Sequence, residues 1–185
     1  MLRNAFLIAA LTCGPTAMTA QGKGSFKQGQ ITLPEMTLID QHANAHALRG
    51  DLDSGALLVM TFSYTLCGSI CPIGNDIMAQ LDDTVEKIGG RDVRLLTITI
   101  DPQNDTPAMM ADAARKFDAS DRWLWLTGRP GDIRRLLQSV GAPVQDLELH
   151  DPVFLVGDGQ TGRFLRTQTM PTVEELLSML DATSR

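Results

Sequence analysis

Residues 58–81 read LVMTFSYTLCGSICPIGNDIMAQL. The stretch opens as a buried strand, with Leu57, Leu58, Val59, Met60, Thr61 and Phe62 in a row. It passes through Tyr64-Thr65-Leu66 to Cys67, turns over Gly68-Ser69-Ile70, and reaches Cys71-Pro72. Apolar residues then recur at Ile73, Ile77, Met78, Leu81 and Val85, the spacing of a helix face, and predict a helix to about Ile88 closed by Gly89-Gly90. Strand, cysteine pair and helix start therefore abut. A helix N-terminus carries partial positive charge and free N–H groups, which favour a thiolate over a thiol. Pro72 suits the first helical turn, where its missing N–H costs nothing.

The two cysteines stand at i and i+4, so their sulfurs can share one face or meet across a tight bend. Three uses fit that spacing: a redox pair, a site for one soft metal ion, or a plain stabilising disulfide. The last gains least, because closing a short loop removes little entropy from the unfolded chain.

The chain has 185 residues, enough for one domain with a real core. Its formal charge of -6 argues against nucleic acid as a partner, since phosphates repel an acidic surface. No apolar run approaches the roughly 18 residues that a membrane span needs, so no span is expected in the mature chain. Residues 1–20 read as a secretory leader: Arg3 is the only charge, Ala5 to Leu11 is a short apolar segment, and small residues end at Ala20. Cys13 raises lipidation as an alternative, although the residues before it match that pattern poorly. Residues 21–30 (QGKGSFKQGQ) read as a flexible lead-in, and 31–185 as the single folded domain. The expected location is outside the cytoplasm, in the bacterial periplasm, soluble or weakly membrane-associated. A close cysteine pair there meets oxidation and needs a thiol reductant.

Ile31 to Ile39 suggests a strand broken by Pro34, and Asp40 to Asp53 a hairpin and loop. His42 and His46 have metal-like spacing, but the surrounding turn residues favour a solvated loop. Val93 to Ile100 is a second buried strand. Thr106 and Pro107 start a helix through Phe117; Trp123 to Leu126 is a strand; Gly128 to Pro130 turns into a helix marked by Ile133, Leu136, Leu137 and Val140. Val153 to Val156 and Arg163 to Arg166 pair across Asp158 to Gly162, and a last helix opens at Met170-Pro171. Methionines are numerous, Met109-Met110 adjacent among them; thioether can bind Cu(I), but methionine on a helix more often fills the core, and none is given a site role. The order gives an α/β fold: a central mixed β-sheet flanked by helices, with an N-terminal hairpin extension. A cysteine pair between a strand and the helix it feeds makes that fold thioredoxin-like.

Four stretches together resemble the Sco/SenC family of thioredoxin-like copper-binding proteins of cytochrome c oxidase assembly. They are Phe62 to Pro72, Ile100-Asp101-Pro102-Gln103-Asn104-Asp105-Thr106-Pro107, Trp123 to Gly128, and His150 ahead of Val153 to Val156. The resemblance runs roughly from Leu33 to Leu180. It implies copper ligation by Cys67, Cys71 and His150, with Cu(I) as the favoured ion and Cu(II) as the other candidate state. It also implies a metallochaperone that delivers copper to the dinuclear copper centre of cytochrome c oxidase, with the oxidase's copper-binding subunit or another copper protein as partner. Such a role needs no turnover, so the protein is not expected to be an enzyme. The alternative is a periplasmic thiol–disulfide oxidoreductase in which Cys67 attacks and Cys71 resolves. Oxidoreductases of this fold usually have two residues between their cysteines, and here there are three. A peroxidase of the same fold would need Pro and Thr where this chain has Met60 and Tyr64. Pro152 stands where thioredoxins place a cis-proline, so a cis Asp151–Pro152 bond is expected.

Overall fold

The computed structural model describes residues 26–185. The expected leader, Cys13 and the first half of the lead-in lie outside the described residues. In chain order the elements are β1 (Phe26–Gln30), β2 (Thr37–Asp40), β3 (Ala45–Ala47), β4 (Leu57–Ser63), α1 (Ile70–Thr84), β5 (Lys87–Ile88), β6 (Arg91–Thr99), α2 (Pro107–Lys116), β7 (Trp123–Thr127), α3 (Pro130–Ser139), β8 (Phe154–Asp158), β9 (Arg163–Thr167) and α4 (Val173–Ser184). The strands form one mixed sheet in the order β1-β9-β8-β4-β6-β7-β2-β3, with β5 paired to β6. β4 runs parallel to β6 and antiparallel to β8. No helix among the described residues is long and apolar enough to cross a membrane.

β4 is buried at every residue because the sheet is covered on both faces. Leu58, Met60 and Phe62 pack on one side with Ile133, Leu136 and Leu137 of α3. Leu57 and Val59 pack on the other with Met78 and Leu81 of α1, Met110 of α2, and Leu176 and Leu180 of α4. Successive side chains of a strand point to opposite faces, so a strand between two helical layers must be apolar throughout. The helix starts obey local chemistry. Thr106 accepts a hydrogen bond from the Met109 N–H at 3.3 Å, with Pro107 opening α2. Thr172 and Glu175 close a capping box on α4.

Four expectations need correction. Phe26–Gln30 is a strand, not a flexible lead-in; it adds to the sheet edge antiparallel to β9. α1 stops at Thr84, and Gly89-Gly90 is the turn between β5 and β6 instead of a helix end; Val85 keeps the helical spacing and is buried, but its backbone is extended. The Asp151–Pro152 bond is trans, since no cis peptide bond occurs among the described residues. The first strand after β1 also starts later than Ile31, at Thr37, beyond Pro34.

The β2–β3 hairpin is held by a buried carboxylate. Asp40 Oδ1 accepts the backbone N–H groups of His42 and Asn44, each at 2.8 Å, and His46 Nε2 lies 2.8 Å from Oδ2. Burial alone would raise the Asp40 pKa, but the contacts from His46, Asn44 and His42 outweigh it and hold it below the usual carboxylate value. A carboxyl depressed in the folded state stabilises the fold at pH above its unfolded value and loses that contribution as pH falls through its folded value. An Asp40→Asn chain is therefore expected to be less stable than wild type at pH 7, by about 1–2 kcal/mol. Its melting temperature should then fall less steeply below about pH 4. Parallel acid titrations of melting temperature that keep the same separation at every pH would contradict this account.

Candidate metal centre

The cysteine pair sits where β4 ends and α1 begins. Cys67 is half-buried in the connecting loop, and Cys71, the second residue of α1, is 6% exposed. Ser69 precedes the first helical residue but its side chain makes no capping bond. Cys67 Sγ takes that place, accepting the Cys71 backbone N–H at 3.4 Å. A sulfur in this position meets both a free N–H and the positive end of the helix. Ser69 Oγ lies 3.8 Å from the same sulfur. Both cysteines are free thiols.

His150 arrives from the segment before β8. Its Nδ1 lies 2.7 Å from the Leu147 carbonyl oxygen. A carbonyl only accepts, so Nδ1 carries the proton and donates it. In the neutral ring Nε2 is then left with its lone pair, and Nε2 lies 3.6 Å from Cys71 Sγ. Tyr64 meets the imidazole edge-on, with ring centroids 5.9 Å apart and planes at 67°. This is the common way to present a histidine to a metal: one nitrogen tied to a backbone oxygen, the other free. The 3.6 Å span also fits. Sulfur and nitrogen each held about 2.0–2.3 Å from one ion, at trigonal or tetrahedral angles, lie about 3.5 Å apart. Among the described residues, no three side chains of His, Cys, Asp or Glu are already drawn together as a finished cage. Cys71 and His150 are at bridging distance, while Cys67 faces the helix N–H.

The loop after β6 clamps the cysteine loop. Asp105, 2% exposed, accepts the Thr65 N–H at 3.2 Å to each oxygen, the Thr65 hydroxyl at 2.5 Å and the Thr99 hydroxyl at 2.6 Å. Thr99 Oγ1 in turn accepts the Asp101 N–H at 2.9 Å. The ends of two adjacent parallel strands are thus tied together two residues before Cys67. Burial raises the pKa of the Tyr64 hydroxyl, and negative charge at Cys67, Cys71 and Glu148 pushes it the same way. Tyr64 is therefore a protonated phenol beside the sulfurs at neutral pH.

The structure thus brings Cys67, Cys71 and His150 to one place. His42 and His46 stay in the β2–β3 hairpin, where His46 pairs with Asp40. Met110 is core, 1% exposed. Sequence reasoning missed the Leu147 carbonyl and the inward turn of Asp105. The Asp101 to Pro107 loop was visible as a motif, but its spacing gives no sign of which carboxylate faces the core.

Comparison with known proteins gives a consistent result. Residues 27–165 match the SCO1/SenC family. A protein of Stutzerimonas stutzeri named for copper binding is 26% identical over 149 residues, covering 77% of this chain and 71% of that one. The structure of BsSco, a Sco-family cytochrome c oxidase assembly protein described with a disulfide switch, superposes with a TM-score of 0.69. It is 26% identical and covers 84% of this chain and 94% of its own. The copper-bound structure of ScoI from Bradyrhizobium japonicum, at 24% identity, shares the fold with a TM-score of 0.60 over 82% of this chain and 99% of its own.

Proposed function

The chain belongs to the SCO1/SenC family, and from that premise we propose that it is an exported copper-binding metallochaperone. In this reading it delivers copper to the dinuclear copper centre of cytochrome c oxidase during assembly, and Cys67, Cys71 and His150 are its ligands. The observation that carries the reading is the Cys71 Sγ to His150 Nε2 distance of 3.6 Å, with Nδ1 already committed to the Leu147 carbonyl. Cu(I) is soft and prefers thiolates, and imidazole suits copper in either oxidation state. Cys67 completes the set by rotating about its Cα–Cβ bond, giving up the Cys71 N–H. Its partial exposure leaves one side of the ion open to an incoming ligand. A recipient thiolate or imidazole can bind before a donor ligand leaves, so the ion never has to become free. Export to the periplasm is read from the leader-like residues 1–20, and a thiol reductant is needed there to keep both sulfurs available.

A second reading is favoured by the exposure gradient, with Cys67 half-buried and Cys71 buried. In thiol exchange, the Cys67 thiolate attacks a client disulfide and forms a mixed disulfide, releasing one client thiolate. Cys71 then attacks Cys67 Sγ, leaving a Cys67–Cys71 disulfide and the second client thiolate. The client gains two electrons and this chain loses two.

The two readings separate on His150. Cu(I)-loaded chain is mixed with the metal-free copper domain of the oxidase subunit, and reduced metal-free chain is mixed with the oxidised domain. The His150→Ala chain is expected to bind Cu(I) at least about 100-fold more weakly, because a ligand should count for more than an outer partner. Its thiol exchange should stay within about twofold of wild type. Wild-type chain that reduces the domain but transfers no copper would move the assignment to the oxidoreductase.

A further inference from the structure

The described residues expose three large hydrophobic side chains: Leu66 at 71%, Ile73 at 53% and Leu149 at 81%. Single exposed leucines are ordinary on a protein surface. These three are not scattered. Leu66 precedes Cys67, Leu149 precedes His150, and Ile73 stands two residues after Cys71. Neighbouring Cα atoms are about 3.8 Å apart, and the three ligand residues are already linked by contacts of 3.4 and 3.6 Å. The three exposed side chains therefore start from backbone within one or two residues of the candidate metal centre.

The segments that carry the site bring charge of one sign; Arg134 of α3 borders them in the cavity lined with Asp101, Gln145 and Leu147. Segments 64–76, 100–107 and 142–153 contain no Lys or Arg. They carry exposed Asp76, Asp146, Glu148 and Asp151, and half-exposed Asp101. Glu148 is close enough to act on the Tyr64 hydroxyl. A second copy of this chain would bring the same carboxylates and be repelled, as would nucleic acid or an anionic membrane.

We propose that this face docks the copper recipient through complementary chemistry: a protein surface whose accepting ligands sit in an apolar patch rimmed by Lys and Arg. The inference rests on the copper-transfer reading and adds the partner's surface. The carboxylate rim steers a basic partner into encounter, and Leu66, Ile73 and Leu149 exclude water around the ligand exchange.

The test uses the full reduced chain loaded with Cu(I) and two synthetic peptides with the same Cys-x-x-x-Cys ligands. One peptide is flanked by leucine and lysine, the other by serine and glutamate. Stopped-flow transfer is expected to be at least tenfold faster to the leucine–lysine peptide at low salt. The gap should narrow at about 0.5 M salt, where screening is nearly complete. A Leu66→Ser/Leu149→Ser chain should still bind one Cu(I) but lose severalfold in rate to that peptide. Equal rates to both peptides, or an unchanged rate in the double variant, would overturn the docking proposal and leave copper binding standing. A wild-type chain that takes up no Cu(I) would overturn the copper reading and this proposal with it.

Discussion

Replacing Cys71 with serine is expected to abolish Cu(I) retention while leaving the fold intact. Cys71 is the sulfur that already faces His150 Nε2 at 3.6 Å, and it is buried in the first turn of α1. Serine offers a hard, neutral oxygen that does not ionise near pH 7, and Cu(I) discriminates strongly against such donors. Affinity should fall by well over the roughly 100-fold seen when only an outer partner of a ligand is lost. The replacement is nearly isosteric, and the Cys71 N–H to Cys67 Sγ bond is a backbone donation that the change does not touch. Stability should therefore shift by less than about 1.5 kcal/mol. Competition against a coloured Cu(I) chelator, with a urea melt alongside, reads both quantities. A serine variant that competes as well as wild type would remove Cys71 from the ligand set.

Asp105→Ala is the second large effect, and it reaches the site without touching a ligand. The Asp105 carboxylate takes the Thr65 N–H and the hydroxyls of Thr65 and Thr99 in an almost fully buried position. Deleting it leaves those donors without their acceptor. Each buried group stranded in this way costs about 1–3 kcal/mol, less whatever water entering the gap recovers. A loss of about 3 kcal/mol is expected, visible as a lower urea midpoint. The Thr65 anchor lies two residues before Cys67, so the cysteine loop should also loosen. Cu(I) affinity should drop about 10- to 100-fold, as for other outer supports of a metal site. Asp105→Asn keeps one carbonyl oxygen and should fall between the two. Full stability with weakened copper binding would mean that Asp105 acts on the site by its charge rather than by holding the loop.

Much of this was readable in the chain because the determining interactions are local. The β4 run of apolar residues, the cysteine pair and the start of α1 follow one another without a gap. Thr106-Pro107 marks the start of α2 by its own cap. The failures are the places where a distant partner decides. Phe26–Gln30 is polar and carries a glycine, and only pairing with β9, about 140 residues away, makes it a strand. Val85 continues the α1 spacing, but β5 pairs back on β6 through Lys87 and Asp92, 2.6 Å apart, and the helix yields. At the site, the cysteine pair announces itself by spacing. His150 comes forward only through its place ahead of a buried strand and through the family resemblance. The Leu147 carbonyl that sets its tautomer is a backbone atom, which no residue pattern marks. Asp101 and Asp105 look alike in sequence, and tertiary packing alone turns Asp105 inward.

If Cys67, Cys71 and His150 form one copper site, anaerobic Cu(I) titration of the reduced chain, with X-ray absorption on the bound metal, should find one tightly held copper per chain. That copper should have two sulfur neighbours and one nitrogen, and lose the nitrogen in His150→Ala. No stoichiometric copper, or a copper whose spectrum is the same with and without His150, would contradict it.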